Sequence, residues 1–152
     1  MANTQSMCTS FMQELMTGTH NFTTGTGDTF KAALYETTAT YNAATTAYST
    51  SGEVTGSGYS PGGVTVTNGT SPLSTNTSAT AGVAYWTPSA SLTYTSVTLT
   101  TAFDAVLIYN SSKSNKAVSV HTFGSQTVTA GTFTLTMPTN NTTNALLRLA
   151  TT

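Results

Sequence analysis

Residues 92–123 read LTYTSVTLTTAFDAVLIYNSSKSNKAVSVHTF, and they decide the fold class. Leu92 to Thr100 alternates, with Leu92, Tyr94, Ser96 and Thr98 on one face and Thr93, Thr95, Val97 and Leu99 on the other. A two-residue period is the signature of a strand, and branched threonine fits a pleated surface better than a helix. Phe103 to Tyr109 forms a second strand, and its Ala105–Tyr109 run (AVLIY) is apolar on both faces. That pattern suits a central strand covered on both sides. Asn110 to Lys116 (NSSKSNK) is a polar turn carrying two of the four cations. It joins Val106–Tyr109 to the strand Ala117–Phe123 as a hairpin.

The same period extends outward from this hairpin. Gln126–Val128 and Thr132–Met137 follow it, and Val83–Trp86, Val64–Thr67 and Thr29–Glu36 precede it. Ala145–Ala150 (ALLRLA) closes the chain as a strand or a short helix. Between them lie the loop NFTTGTGD (Asn21–Asp28), the turn-rich GEVTGSGYSPGG (Gly52–Gly63) and a Ser/Thr/Ala loop from Thr70 to Gly82. Thr37 to Ser51 reads equally as an edge strand or an ordered loop. Loops every 8 to 12 residues between short uncharged strands predict an all-β fold. The expected architecture is an antiparallel β-sandwich or jelly-roll-like barrel over residues 21–152, preceded by a short N-terminal α-helix.

That helix is predicted over Thr4–Thr17, within an N-terminal arm of residues 1–20. Cys8, Phe11, Met12, Leu15 and Met16 fall at i, i+3, i+4, i+7 and i+8, one helical face. Thr4 or Ser6 supplies a start cap and Gly18 a stop. The stripe either packs on the chain's own sheet or docks on a neighbouring subunit. Methionine adapts to both uses.

Composition narrows the function classes. Of 152 residues, 38 are Thr and 17 are Ser, whereas only nine are charged, for a net charge of −1. Lys31, Lys113, Lys116 and Arg148 are too few and too scattered to neutralise a row of phosphates, which argues against nucleic acid as a partner. No apolar run reaches the roughly 18 residues needed to cross a bilayer, which argues against a membrane. Met1–Ser10 lacks the basic and apolar regions of a signal peptide, and Cys8 has no disulfide partner, so cytoplasmic synthesis is expected.

Chemistry-bearing residues are sparse. A Ser/His/Asp arrangement needs His121 beside Asp104 and a serine, and no G-x-S-x-G elbow or paired carboxylate is present. His20 and Asp28 flank a glycine loop, but two ligands do not specify a metal. Gly25-Thr26-Gly27 lacks the lysine and helix start of a phosphate loop. No catalytic residue, metal or cofactor is therefore expected. Trp86, Tyr85, Tyr94, Tyr59, Tyr41 and Tyr48 serve either as core or as rings for a saccharide.

Four stretches carry a resemblance: FKAALY (Phe30–Tyr35), GEVTGSGYSPGGVTV (Gly52–Val66), YWTPSASLTY (Tyr85–Tyr94) and AFDAVLIYNSSKSNKAVSVHTFG (Ala102–Gly124). Through them the chain resembles small virion structural proteins of tailed bacteriophages, most closely capsid cement or decoration proteins. The resemblance implies a non-enzymatic protein on the outer surface of the head, bound to the major capsid protein and associating as a dimer or trimer. A tail or fibre component, an adaptor or a host-glycan-binding module, is the alternative. Phe11, Met12, Leu15 and Met16 are the candidate contacts with capsid or neighbouring subunit. The loop Thr70–Gly82 is a second candidate.

Overall fold

The computed structural model describes residues 2–75 and 82–151. In chain order the elements are β1 (Ser6–Met7), α1 (Thr9–Met16), β2 (Phe30–Glu36), β3 (Val64–Thr65) and β4 (Leu73–Ser74). They continue with β5 (Val83–Trp86), β6 (Leu92–Asn110), β7 (Lys116–Leu135) and β8 (Leu147–Ala150). The chain is mostly β, in two antiparallel sheets. One has the order β1-β7-β6-β2-β3 and the other β4-β5-β8. Of the loop expected from Thr70 to Gly82, residues 76–81 lie outside the described residues, and Leu73–Ser74 forms β4.

The hairpin β6–β7 is the spine. Ala105 to Asn110 are all at most 2% exposed, and Ala32 to Tyr35 beside them are 0% exposed. This is the doubly covered central strand that the AVLIY run predicts. The register sets Ala32 opposite Ile108, Leu34 opposite Val106, and Val106 opposite His121.

The outer half of β6 departs from strict alternation. Leu92, Tyr94, Val97, Leu99 and Phe103 are all buried, although period two sets Leu92 and Tyr94 opposite Val97 and Leu99. The ladder shifts between Tyr94 and Val97, where Ser96 adopts φ 52°, and again between Leu99 and Phe103. The one extra β6 residue between Tyr94 and Val97 rolls the strand by a face and keeps its large apolar side chains inward. The two extra residues between Leu99 and Phe103 leave the facing unchanged. The two strands expected at Leu92–Thr100 and Phe103–Tyr109 are continuous in β6. Those expected at Ala117–Phe123, Gln126–Val128 and Thr132–Met137 merge likewise into β7.

The N-terminal prediction also needs correction. Helix α1 begins at Thr9, not Thr4, and Cys8 stands at its N-cap position without a side-chain cap bond. Ser6 and Met7 are extended and pair with Val120 and Ser119 of β7. The Cys8 N–H then donates to Val118 O at 3.0 Å. Sheet pairing outweighs helix propagation over these residues, because each extended residue gains a partner strand. Gly18, at φ 69°, lies just past the helix as expected of a C-terminal glycine.

Residues 37–63 form an ordered loop held by isolated bridges, Ala47 to Lys116 and Ser57 to Thr98 among them. Two glycines allow it to lie on the sheet. A Cβ at Gly63, whose φ is 72°, would stand 1.7 Å from Ala32 O, and one at Gly56 would stand 1.9 Å from Thr98 O. Ala145–Ala150 resolves as strand over Leu147–Ala150.

Candidate functional site

Helix α1 and the smaller sheet face each other across an apolar slot. Phe11 and Leu15 supply one wall, and Ala84, Tyr85, Leu147 and Leu149 the other, with Phe22 and Trp86 also lining it. Phe22 stacks on Phe30 at 4.2 Å between ring centroids and meets the Trp86 edge at 4.8 Å, so one aromatic chain ties both sheets to the slot. The Trp86 indole N–H donates to Asn68 Oδ1 and Thr70 O, which locks the ring in place.

The four candidate contact residues part company here. Phe11 is 2% exposed and belongs to the chain's own core, and Leu15 packs against that core. Met12 and Met16 point outward, 43% and 83% exposed. Leu73 and Leu149 of the smaller sheet are also exposed. These four are the exposed large hydrophobics among the described residues. Helix α1 is thus both a core element and the bearer of an apolar surface stripe. Residues of the expected arm and of the β-domain share one buried cluster.

Charge is drawn inward by two networks. In the first, Glu14 is 7% exposed. Its Oε2 accepts His20 Nε2–H at 2.7 Å, and its Oε1 accepts Lys116 Nζ. Asn110 Oδ1 accepts the Ser112 N–H, which turns Nδ2 toward His20 Nδ1 at 2.9 Å and Asp28 Oδ2 at 2.8 Å. His20 Nδ1 therefore accepts and Nε2 carries the hydrogen. Burial raises the Glu14 carboxyl, but hydrogen bonds from Lys116 and His20 outweigh it and hold the group below the usual range. Asp28 is lowered in the same way, with Asn110, Asn21 and Lys113 opposing burial. This network ties α1 and the Asn21–Asp28 loop to the β6–β7 turn. Sequence spacing brought out His20 and Asp28 but missed Glu14 and Asn110. Glu14 falls one position off the apolar stripe, and only the fold brings Lys116 and His20 to it.

The second network centres on Glu53, 6% exposed. Tyr48 donates its hydroxyl to Oε2 at 2.6 Å, while Tyr59 and the Gly62 N–H donate to Oε1 at 2.7 Å each. Tyr109 donates to Gly62 O, Tyr94 to Ala32 O, and Tyr35 and Tyr41 to Ser49 O. Trp86, Tyr94 and Tyr41 are thus core residues, the first of the two readings open for these rings.

The hydrolase arrangement is half assembled. His121 Nε2 lies 2.8 Å from Ser119 Oγ, but Asp104 Oδ1 accepts Asn3 Nδ2–H at 2.7 Å instead. Burial lowers the His121 imidazole to about 4, which favours a neutral ring but makes it a feeble general base near neutrality. Among the described residues no group of three or more His, Cys, Asp or Glu side chains is placed to hold a metal. No helix among the described residues is long and apolar enough to cross a membrane. No protein-family model, curated protein or solved structure matches the chain. Its functional reading therefore rests on its own geometry, foremost the slot and the stripe beside it.

Proposed function

We propose that this chain is a non-enzymatic virion structural protein, a cement or decoration protein that docks on the outer surface of a phage head. In this reading the two sheets are the layers of a β-sandwich, joined through Phe22, Phe30 and Trp86. One observation carries the docking: an uncharged slot lined by Phe11, Leu15, Tyr85 and Leu149, in a fold whose helix also exposes Met12 and Met16. Glu14, Asp28, Glu53 and Asp104 are engaged internally, so the exterior is left hydroxyl-rich and poor in acids. Such a surface docks on a protein lattice with little desolvation of charge.

The magnitude suits a repeated, modest contact. Covering Met12, Met16, Leu73 and Leu149 at about 1–2 kcal/mol each gives roughly 4–8 kcal/mol gross. Association costs of about 4–15 kcal/mol offset much of that, so a single contact is weak and holding power comes from many copies.

The test adds purified protein to particles stripped of it. Wild type is expected to bind and to raise the temperature at which the heads open, by mass action on the bound state. Met12→Asp/Met16→Asp is expected to stay folded and to lose binding, because both side chains already face solvent. Binding unchanged in that variant would overturn this docking surface. Density for the chain only at the tail of the intact particle would overturn the head assignment in favour of a tail or fibre role.

A further inference from the structure

Strand β7 has an outer edge that the fold leaves open. Strand β1 covers it only at Ser119 and Val120. Beyond Val120, no strand among the described residues pairs with β7 on that side. Proteins usually blunt such an edge with lysine, proline, an inward charge or a bulge. Here no charged residue stands between Lys116 and Arg148, and the first proline after the hairpin turn is Pro138, past the end of the strand. Bulges are the only interruptions. One lies between Thr122 and Gln126, and another beside Ala130, whose φ is 46°. They leave Gly131–Leu135 without an inserted residue in β7. Leu135, Thr134 and Phe133 pair in register with Leu92, Thr93 and Tyr94, and the shift between Phe133 and Gly131 is a bulge of β6. Thr132 and Thr134 are exposed, while Phe133 and Leu135 turn toward the core.

We propose that this edge is a homodimer interface, in which Gly131–Leu135 pairs antiparallel with the same run of a second copy. The edge is self-complementary. A twofold axis at Phe133 sets Thr132 opposite Thr134 of the partner subunit, and the reverse, and cross-strand threonine pairs are favourable. No like charges meet, the fault that would disqualify a charged edge from pairing with itself. The bulge beside Ala130 ends the regular run, so the pairing is short and closed and gives a discrete, concentration-dependent dimer instead of a growing fibril. This surface is separate from the apolar slot, and its test is independent of any particle.

Sedimentation velocity over a roughly hundredfold concentration range reads the outcome directly. Wild type is expected to shift from the mass of one 15.7 kDa chain toward twice that mass. Thr132→Lys/Thr134→Lys and Thr132→Glu/Thr134→Glu are each expected to remain monomeric with unchanged circular dichroism. An equimolar mixture of the two is expected to dimerise again. In the unaltered protein, amide exchange over residues 131–135 is expected to slow as concentration rises. A wild type monomeric throughout overturns the proposal. So does a dimer that survives the lysine substitutions, or one lost in Met12→Asp/Met16→Asp, which would place the contact at the slot instead.

Discussion

Removing the Glu53 carboxylate is the sharpest available perturbation of the fold. Glu53→Ala strips an acceptor from three donors: the Tyr48 hydroxyl at 2.6 Å and the Tyr59 hydroxyl and Gly62 N–H at 2.7 Å. A hydrogen bond to a charged partner contributes about 1.5–3 kcal/mol, and a buried donor left unpaired costs about 1–3 kcal/mol. Tyr48 is half-buried and finds water, so its share is about 1 kcal/mol. Tyr59 and the buried Gly62 N–H contribute about 1.5 kcal/mol each, for a total near 4 kcal/mol. At about 2–4 °C per kcal/mol for a chain of this size, Tm is expected to fall by roughly 8–16 °C. Urea unfolding followed by circular dichroism measures the loss. Glu53→Gln keeps a carbonyl acceptor but offers an N–H where a phenol donates, so it is expected to fall between wild type and Glu53→Ala. A cycle of Glu53→Ala with Tyr59→Phe is expected to show coupling near 1 kcal/mol. A loss below about 1 kcal/mol for Glu53→Ala would refute the idea that this carboxylate anchors the loop 37–63.

Three further outcomes are expected. The Cys8 thiol, fully buried and pushed up to about 12 first by burial and then by Glu14, is expected not to react with a disulfide reagent at pH 8 until the protein unfolds. Fast labelling of the native protein would contradict the core position of Cys8. The His121 imidazole is held at about 4 by burial against an ordinary 6.5, so the unfolded chain binds the extra proton between those values. Stability from this group is present above pH 6.5 and is lost as pH falls toward 4, and His121→Gln is expected to flatten that part of the pH–stability curve. Burial, with Glu53 adding to it, raises the Tyr109 phenol to about 12, and burial also raises Tyr35, Tyr59 and Tyr94. The native state therefore keeps protons that the unfolded state releases above pH 10. Stability is present below pH 10 and declines above it, and most tyrosinate absorbance is expected to appear together with unfolding. Smooth titration of these phenols in a folded protein would contradict their burial.

The hairpin, the doubly covered Ala105–Tyr109 strand and the β class were legible because they depend on local period and on apolar runs. The bulges at Ser96 and Ala130 were not, since neither residue is a glycine and the cue lies in keeping Tyr94 and Val97 on one face. The start of α1 was misplaced for a related reason. Residues 4–7 carry no strand signature of their own, and they are extended because β7 offers them an edge.

The candidate contact surface shows the same division. Amphipathic spacing picked out Phe11, Met12, Leu15 and Met16 together, yet it does not distinguish the inner half of a stripe from the outer half. That depends on how the helix is rolled against its neighbours, and the Glu14–His20–Lys116 contacts settle it. Lys116 and His20 hold the buried Glu14 carboxylate on the inner side of the helix with Phe11, while Met12 and Met16 face outward. By itself, the sequence determined a threonine-rich, nearly uncharged antiparallel β chain with an apolar helix near its start. Only the tertiary structure decided where its few charges are spent and which apolar side chains and strand edge remain open. Burial and pairing are set by residues distant in the chain: Glu14 and Lys116 are brought together across 102 positions.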